Sequence, residues 1–236
     1  MRTTGKRQSD LLLFDAVDIF NAEGIPYAVV DGFAAAVHGV DRGTKDMDVI
    51  LQIALPELPL LASRLQEAGF ATTLRRGGLD DPIAAVIELK DVHHNCAEIL
   101  VGIKGLADDA FSRAIEIAYC GSSLRVVGYE DFLAMKLSAG GPNDLLDVDE
   151  ALKANPNFDV ELLRRLVHGY GKEATRRFER AVARLQRGGD GPRAWAKCSK
   201  VLRKSASRGI NSLDSAACAM TPSSSSMRAK ATDSSA

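Results

Sequence analysis

Between Tyr27 and Leu51 the chain reads Tyr-Ala-Val-Val-Asp-Gly-Phe-Ala-Ala-Ala-Val-His-Gly, then Val-Asp-Arg-Gly-Thr-Lys, then Asp-Met-Asp-Val-Ile-Leu. The order is an apolar strand, a glycine, a short Ala-rich helix, a loop, two aspartates one residue apart, and a second apolar strand. Strand side chains two apart share a face, so Asp46 and Asp48 face one way while Met47 and Val49 face the other. Tyr27–Val30 is apolar on both faces, the pattern of a central strand covered on both sides. Two carboxylates on one face bind hard divalent cations such as magnesium through oxygen. Gly32 lets an anion come close to the start of the helix. The stretch therefore fits a cation and a phosphate held together.

The rest of the chain supplies the frame. A first helix is expected from a Ser9 N-cap to Gly24, with Leu12, Val17 and Phe20 at helical spacing. Gly32 to Val37 reads as the short helix, Met47 to Ile53 as the second strand, and Pro56 to Gly69 as an amphipathic helix. Phe70–Leu74, Ile83–Leu89, Cys96–Val101 and Ser123–Val127 read as further strands, separated by turn-forming residues. From Tyr129 onward only helices follow: Glu130–Ala139, Pro142–Ala154, Val160–His168 and Glu173–Gln186. The expected organisation is a strand-and-helix domain over residues 1–127, a helical domain over 128–187 and a tail over 188–236. The tail is rich in Ser and Ala and carries Arg193, Lys197, Lys200, Arg203, Lys204 and Arg208. Such a composition buries too little apolar area to offset the entropy of ordering, so the tail reads as disordered and solubilising. Its charge also suits a basic arm that tracks phosphates.

At 236 residues, with 46% hydrophobic and 26% charged side chains, the chain has the makings of a real core. A formal net charge of -1 gives no global pull toward nucleic acid or an anionic membrane. No apolar run reaches the roughly 20 residues that span a bilayer. The four cysteines are scattered, without a Cys-x-x-Cys pair, which favours neither a disulfide framework nor a zinc site and points to a reducing cytoplasm. His93-His94-Asn95-Cys96 has soft ligands but no distant fourth one, and reads as a polar turn.

Val30-Asp31-Gly32, followed after thirteen residues by Asp46-Met47-Asp48-Val49, resembles the signature of the DNA polymerase beta-like nucleotidyltransferase superfamily. Ala34 to Gly39 and Arg42-Gly43-Thr44-Lys45-Asp46 narrow the resemblance to the small bacterial type that includes abortive-infection toxins of toxin–antitoxin pairs. Leu133-Ala134-Met135-Lys136 and Pro142-Asn143-Asp144-Leu145-Leu146-Asp147 are similar to that group's helical block. The resemblance covers about Leu11 to Leu185.

The resemblance implies an α/β fold, with a mixed sheet flanked by helices, a small all-helical domain behind it and the active cleft between the two. It implies an ATP-type nucleoside triphosphate as donor, a hydroxyl acceptor and release of pyrophosphate. Asp46 and Asp48 would hold magnesium. Glu98 would stand as the third carboxylate, where the family more often has Asp, with Glu88 as its competitor. Gly32, Arg42, Thr44 and Lys136 would serve the nucleotide, Lys136 by neutralising the triphosphate. The alternatives are a toxin that modifies RNA such as a tRNA end and pairs with an antitoxin, a protein acceptor, or a degenerate domain that binds nucleotide or a partner without turnover. Two departures stand out. Asp31 occupies the place of the signature's first glycine, where a carboxylate repels a triphosphate unless it points away or joins the metal set. Gly141 and Asn143 replace cations common in relatives.

Overall fold

The computed structural model describes residues 1–41, 43 and 47–188. All of them belong to one compact unit. Its centre is a seven-stranded mixed sheet in the order β3-β4-β5-β2-β1-β7-β6. The strands are β1 (Tyr27–Val30), β2 (Met47–Leu51), β3 (Ala71–Arg76), β4 (Ile83–Lys90), β5 (Cys96–Ile103), β6 (Ile115–Tyr119) and β7 (Ser122–Val126). Every residue of β1 is buried, as expected of a strand with apolar residues on both faces and neighbours on both edges.

Three helices interleave with the first strands: α1 (Ser9–Ala22), α2 (Asp31–Val37) and α3 (Leu58–Glu67). Leu12, Leu13, Phe14, Ala16, Val17 and Phe20 form the buried side of α1, which packs on β2 and β5, while α3 packs on β3. Beneath them lie Ala85, Ile87 and Leu89 of β4 and Ala97, Ile99 and Val101 of β5, each at most 2% exposed. The alternate residues Val86, Glu88, Glu98 and Leu100 are only half-buried. That alternation leaves the opposite face of this part of the sheet open, as a one-sided strand pattern should.

Helices α4 (Tyr129–Ala139), α5 (Pro142–Ala154), α6 (Val160–Gly169) and α7 (Lys172–Gly188) follow the sheet. Phe132, Leu133, Leu137, Leu163, Leu166 and Phe178 pack among them, and the buried apolar side chains of sheet and helices form one continuous cluster. Arg113 fixes the start of α4: its guanidinium donates two hydrogen bonds, at 2.7 and 2.8 Å, to Asp131, which is 2% exposed. Such a fork-to-carboxylate match fixes direction as well as distance.

The expected elements need three adjustments. Helix α1 is entered one residue early, from Gln8 rather than a Ser9 cap, because the Gln8 amide is already committed to the Asn95 side chain at 2.7 Å. The Pro56 segment forms a 3-10 turn, Leu55–Glu57, before α3 begins at Leu58. The edge strand β6 has no counterpart among the expected strands. The tail lies outside the described residues. Among the described residues no helix is long and apolar enough to cross a membrane.

Candidate active site

Strand register builds a row of acids. Asp48 on β2 is aligned with Glu98 on the parallel strand β5. Glu98 is in turn aligned with Glu88 on the antiparallel strand β4, and Glu88 with Thr73 on β3. Aligned residues on neighbouring strands share a face, and the strands stand about 4.8 Å apart. Glu98 is therefore the nearest neighbour of Asp48 in this row, and Glu88 is one strand further away. Adjacent like charges oppose one another, and basic side chains intervene. Arg75 of β3 reaches across β4 to Glu98 at 2.9 Å, and Lys90 binds Glu88 at 2.6 Å. Hydrogen bonding to Lys90 holds the Glu88 carboxyl below its ordinary range.

A second cluster begins one residue beyond the same sheet edge. Val30 of β1 is aligned with Asp48, and Asp31 follows it as the first residue of α2. Asp31 has a φ of 51°, the left-handed region that glycine reaches freely and Asp tolerates better than most residues. This conformation explains why a glycine suits the position. Here the turn sends the Asp31 carboxylate to the ammonium of Lys136 on α4.

Lys136 is also gripped from α5. Its Nζ lies 3.0 Å from Asp144 and 3.0 Å from Asp147, which stand three apart on one helix face. A tight α4–α5 turn makes this possible. Gly140 ends α4 with a φ of 64°, and a Cβ there would run into the Arg177 guanidinium. Arg177 donates to the carbonyls of Leu137 and Ser138 at 2.9 and 2.8 Å, closing the C-terminus of α4. Pro142 then opens α5, and Asp144 accepts from the Gly141 amide at 3.1 Å. Lys136 and Asp147 are buried. Burial alone disfavours the Lys136 ammonium, but its hydrogen bonds to Asp31, Asp144 and Asp147 outweigh that cost and raise its pKa.

The expected site residues thus fall into two neighbouring groups. Asp48 and Glu98 come together on the open face of the sheet, while Lys136 lies in the cluster reached through Asp31. Gly32 is the buried second residue of α2. Asp46, Arg42 and Thr44 lie outside the described residues. The Asp31 carboxylate does not stand alone, because its charge is met by Lys136. The oxygen atoms of Asp31, Asp144 and Asp147 lie within 4.8 Å of one another, a spacing compatible with a cation, and the Lys136 ammonium is bound by all three. His38 takes no part. Its Nε2 pairs with the Val127 carbonyl at 2.8 Å, and its ring packs on Tyr129 and Phe132.

Arg75 had no signal in the sequence, since only the β3–β4–β5 register brings it to Glu98. The pairing of Asp144 and Asp147 with Lys136 was foreshadowed by their i, i+3 spacing behind Pro142.

No family model and no curated protein matches the chain. Solved structures do. One is the lincosamide antibiotic adenylyltransferase LnuA with lincomycin bound, at 16% identity over 64% of this chain and 98% of that one, with a TM-score of 0.41. Another is an antigenic nucleotidyltransferase-like protein from Paracoccidioides brasiliensis, at 15% identity over 75% and 88% of the two chains, with a TM-score of 0.45. A third is the antibiotic-resistance factor ANT(2'')-Ia in solution, at 13% identity over 79% and 98%, with a TM-score of 0.46.

Proposed function

We propose that the chain is a magnesium-dependent nucleotidyltransferase, which moves a nucleoside monophosphate from a triphosphate to a hydroxyl acceptor. The observation that supports this most is the register of Asp48 with Glu98 on an open sheet face, one residue from the turn that leads into Gly32 and α2. The donor set is all oxygen, half-buried and reachable from solvent, which fits a hard divalent cation. Asp48 and Glu98, with Asp46 of the same motif, would hold that cation, and when bound it supplies charge stabilisation to the oxygens of an in-line displacement.

The chain's own residues supply the remainder. Glu98 accepts the proton of the acceptor hydroxyl. The hydroxyl oxygen forms its bond to the α-phosphorus, the bond from that phosphorus to the β-phosphate bridging oxygen breaks, and pyrophosphate leaves with the electron pair. Gly32 presents a backbone without a side chain at the start of α2. Lys136, held beside that start by Asp31, serves the triphosphate as a fixed positive charge, with Arg42 and Thr44 as further contributors to its binding.

The test is transfer of label from α-labelled nucleoside triphosphates in the presence of magnesium, comparing wild type with Asp48→Asn. Transfer by the wild type that disappears in the variant supports the reading. Transfer that persists in Asp48→Asn removes the metal assignment, and saturable nucleotide binding without any transfer replaces the enzyme with a binding domain.

A further inference from the structure

A cavity of about 560 Å³ opens where the N-terminal segment meets the β4–β5 turn, a volume typical of a small-molecule site. Ser9 and Asp10 of α1 line it together with Met47, whose side chain stands on the sheet face opposite Asp48. The cavity therefore lies on the α1 side of the sheet, away from the row of acids.

Its wall is built by two segments distant in sequence. Asn95, 2% exposed, donates to the Gly5 carbonyl at 2.8 Å and to Asp91 at 2.7 Å, and it accepts from the Gln8 amide at 2.7 Å. Asp91 also accepts from the amides of His93 and Asn95 at 2.8 and 2.9 Å. This buried amide–carboxylate knot fastens the N-terminal segment to the β4–β5 turn, and the Cys96 amide adds a bond to the Ser9 hydroxyl at 3.4 Å. Arg7 and His94 are held at left-handed φ values of 63° and 64°. Strained non-glycine backbone persists only where its surroundings hold it.

Three kinds of group share the lining. Lys6 and Arg7 are exposed cations, and among the described residues neither is held in an ion pair. Asp10 supplies a carboxylate that accepts from the Tyr119 hydroxyl at 3.3 Å and the Leu11 amide at 2.9 Å. Both of those donors are neutral, so its negative charge is left without a counter-charge from them. Phe33 and Tyr119 meet edge to face at 5.1 Å, and Phe14 stacks on Tyr119 at 6.2 Å. A carboxylate pairs with a guanidinium fork, an ammonium with a carboxylate, and a flat ring packs on rings. A free aromatic α-amino acid carries all three partners on one small skeleton.

We propose that this cavity binds a free aromatic α-amino acid, with its carboxylate on Lys6 and Arg7, its ammonium on Asp10 and its ring on Phe33 and Tyr119. The site is independent of the nucleotidyltransferase reading, because none of these groups belongs to the row of acids or to the Lys136 cluster. Its occupant joins the N-terminal segment to the aromatic wall across the start of α1, and so stabilises the folded chain.

The full chain, without nucleotide or metal, is titrated calorimetrically with L-phenylalanine, with hydrocinnamate, which lacks the ammonium, and with phenethylamine, which lacks the carboxylate. Wild type is compared with Lys6→Ala/Arg7→Gly, where glycine suits the left-handed backbone, and with Asp10→Asn. Melting curves without ligand check that each variant folds, and the analogue series on wild type decides the matter without any variant. L-phenylalanine is expected to bind wild type saturably and to raise its melting temperature. Both analogues, and L-phenylalanine on both variants, are expected to bind at least tenfold more weakly. The proposal is overturned if wild type shows no saturable binding, if either analogue binds as tightly as L-phenylalanine, or if either folded variant binds as the wild type does. It is also overturned if AMP displaces L-phenylalanine with higher affinity, which would make the occupant a nucleotide.

Discussion

Asp31 directly follows the strand residue aligned with Asp48, and its carboxylate closes on the Lys136 ammonium 105 residues further along the chain. One side chain therefore joins the sheet edge that carries the acids to the helix that carries the cation. Three carboxylates surround that ammonium, so its charge is already shared before any phosphate arrives. Replacing Asp31 by glycine suits the left-handed backbone and returns part of the charge. Asp31→Gly is expected to bind nucleoside triphosphate about three- to tenfold more tightly, or about 0.7–1.4 kcal/mol. Calorimetry with a non-hydrolysable triphosphate reads this directly, and equal or weaker binding rejects it.

Removing the ammonium has the opposite character. Lys136→Met takes the shared ammonium away from the buried Asp147 and the half-buried Asp144, and breaking a buried ion pair by removing one partner costs about 3–5 kcal/mol. Urea denaturation is expected to show a loss of this order. A change below about 1 kcal/mol would mean that the cluster does not depend on its lysine.

For the row of acids, the register predicts a gradient of effect. Glu98→Gln is expected to lower label transfer at least about a hundredfold, the scale of losing one group aimed at a reacting centre. Glu88→Gln, one strand further from Asp48, is expected to stay within about threefold. The reverse order of effects would reassign the third carboxylate.

Arg75 competes for Glu98 with any metal that site holds. The pair is exposed on both sides, so Arg75→Ala is expected to change stability by less than about 1 kcal/mol. Its visible effect is a lower magnesium concentration for half-maximal magnesium binding, followed by calorimetry without nucleotide. A higher requirement would mean that Arg75 orients Glu98 for the metal.

His38 gives the fold a pH dependence of known sign. Burial lowers its pKa, opposed in part by the hydrogen bond to Val127. The unfolded chain therefore takes up this proton more readily than the folded one, and stability falls as pH drops through the unfolded value near 6.5. His38→Gln, with an amide to donate to the same carbonyl, is expected to flatten the dependence of the urea midpoint between pH 7.5 and 5.5. An unaltered slope would assign the effect to other groups.

The sequence shows its plan most clearly where local pattern and burial agree. The fully apolar Tyr27–Val30 became an interior strand, buried at every residue, and Pro142 opens α5 with two aspartates on one face. Strand β6 escaped notice for two reasons. At the sheet edge its alternating residues stay largely exposed, and its hairpin turns through Cys120 and Gly121 with φ values of 49° and 75°. A two-residue turn with both φ positive usually carries Asn-Gly or Asp-Gly, and Cys-Gly does not announce it. The Asp31–Lys136 contact was equally invisible, because spacing cannot tell which way a left-handed aspartate will aim. Arg75 and the Asn95 knot belong to tertiary register alone.

The parallel pairing of β2 with β5 also governs when the two carboxylates first meet. A parallel neighbour cannot come from a tight hairpin, and here α3, β3 and β4 must be threaded between the partners in sequence. Contacts of this separation form late, after the local hairpins have condensed. A nascent chain that has emerged only as far as β4 has Asp48 without Glu98 beside it, so its acids are scattered and cannot act as a pair. The row of acids is in this way incomplete until the sheet itself has closed.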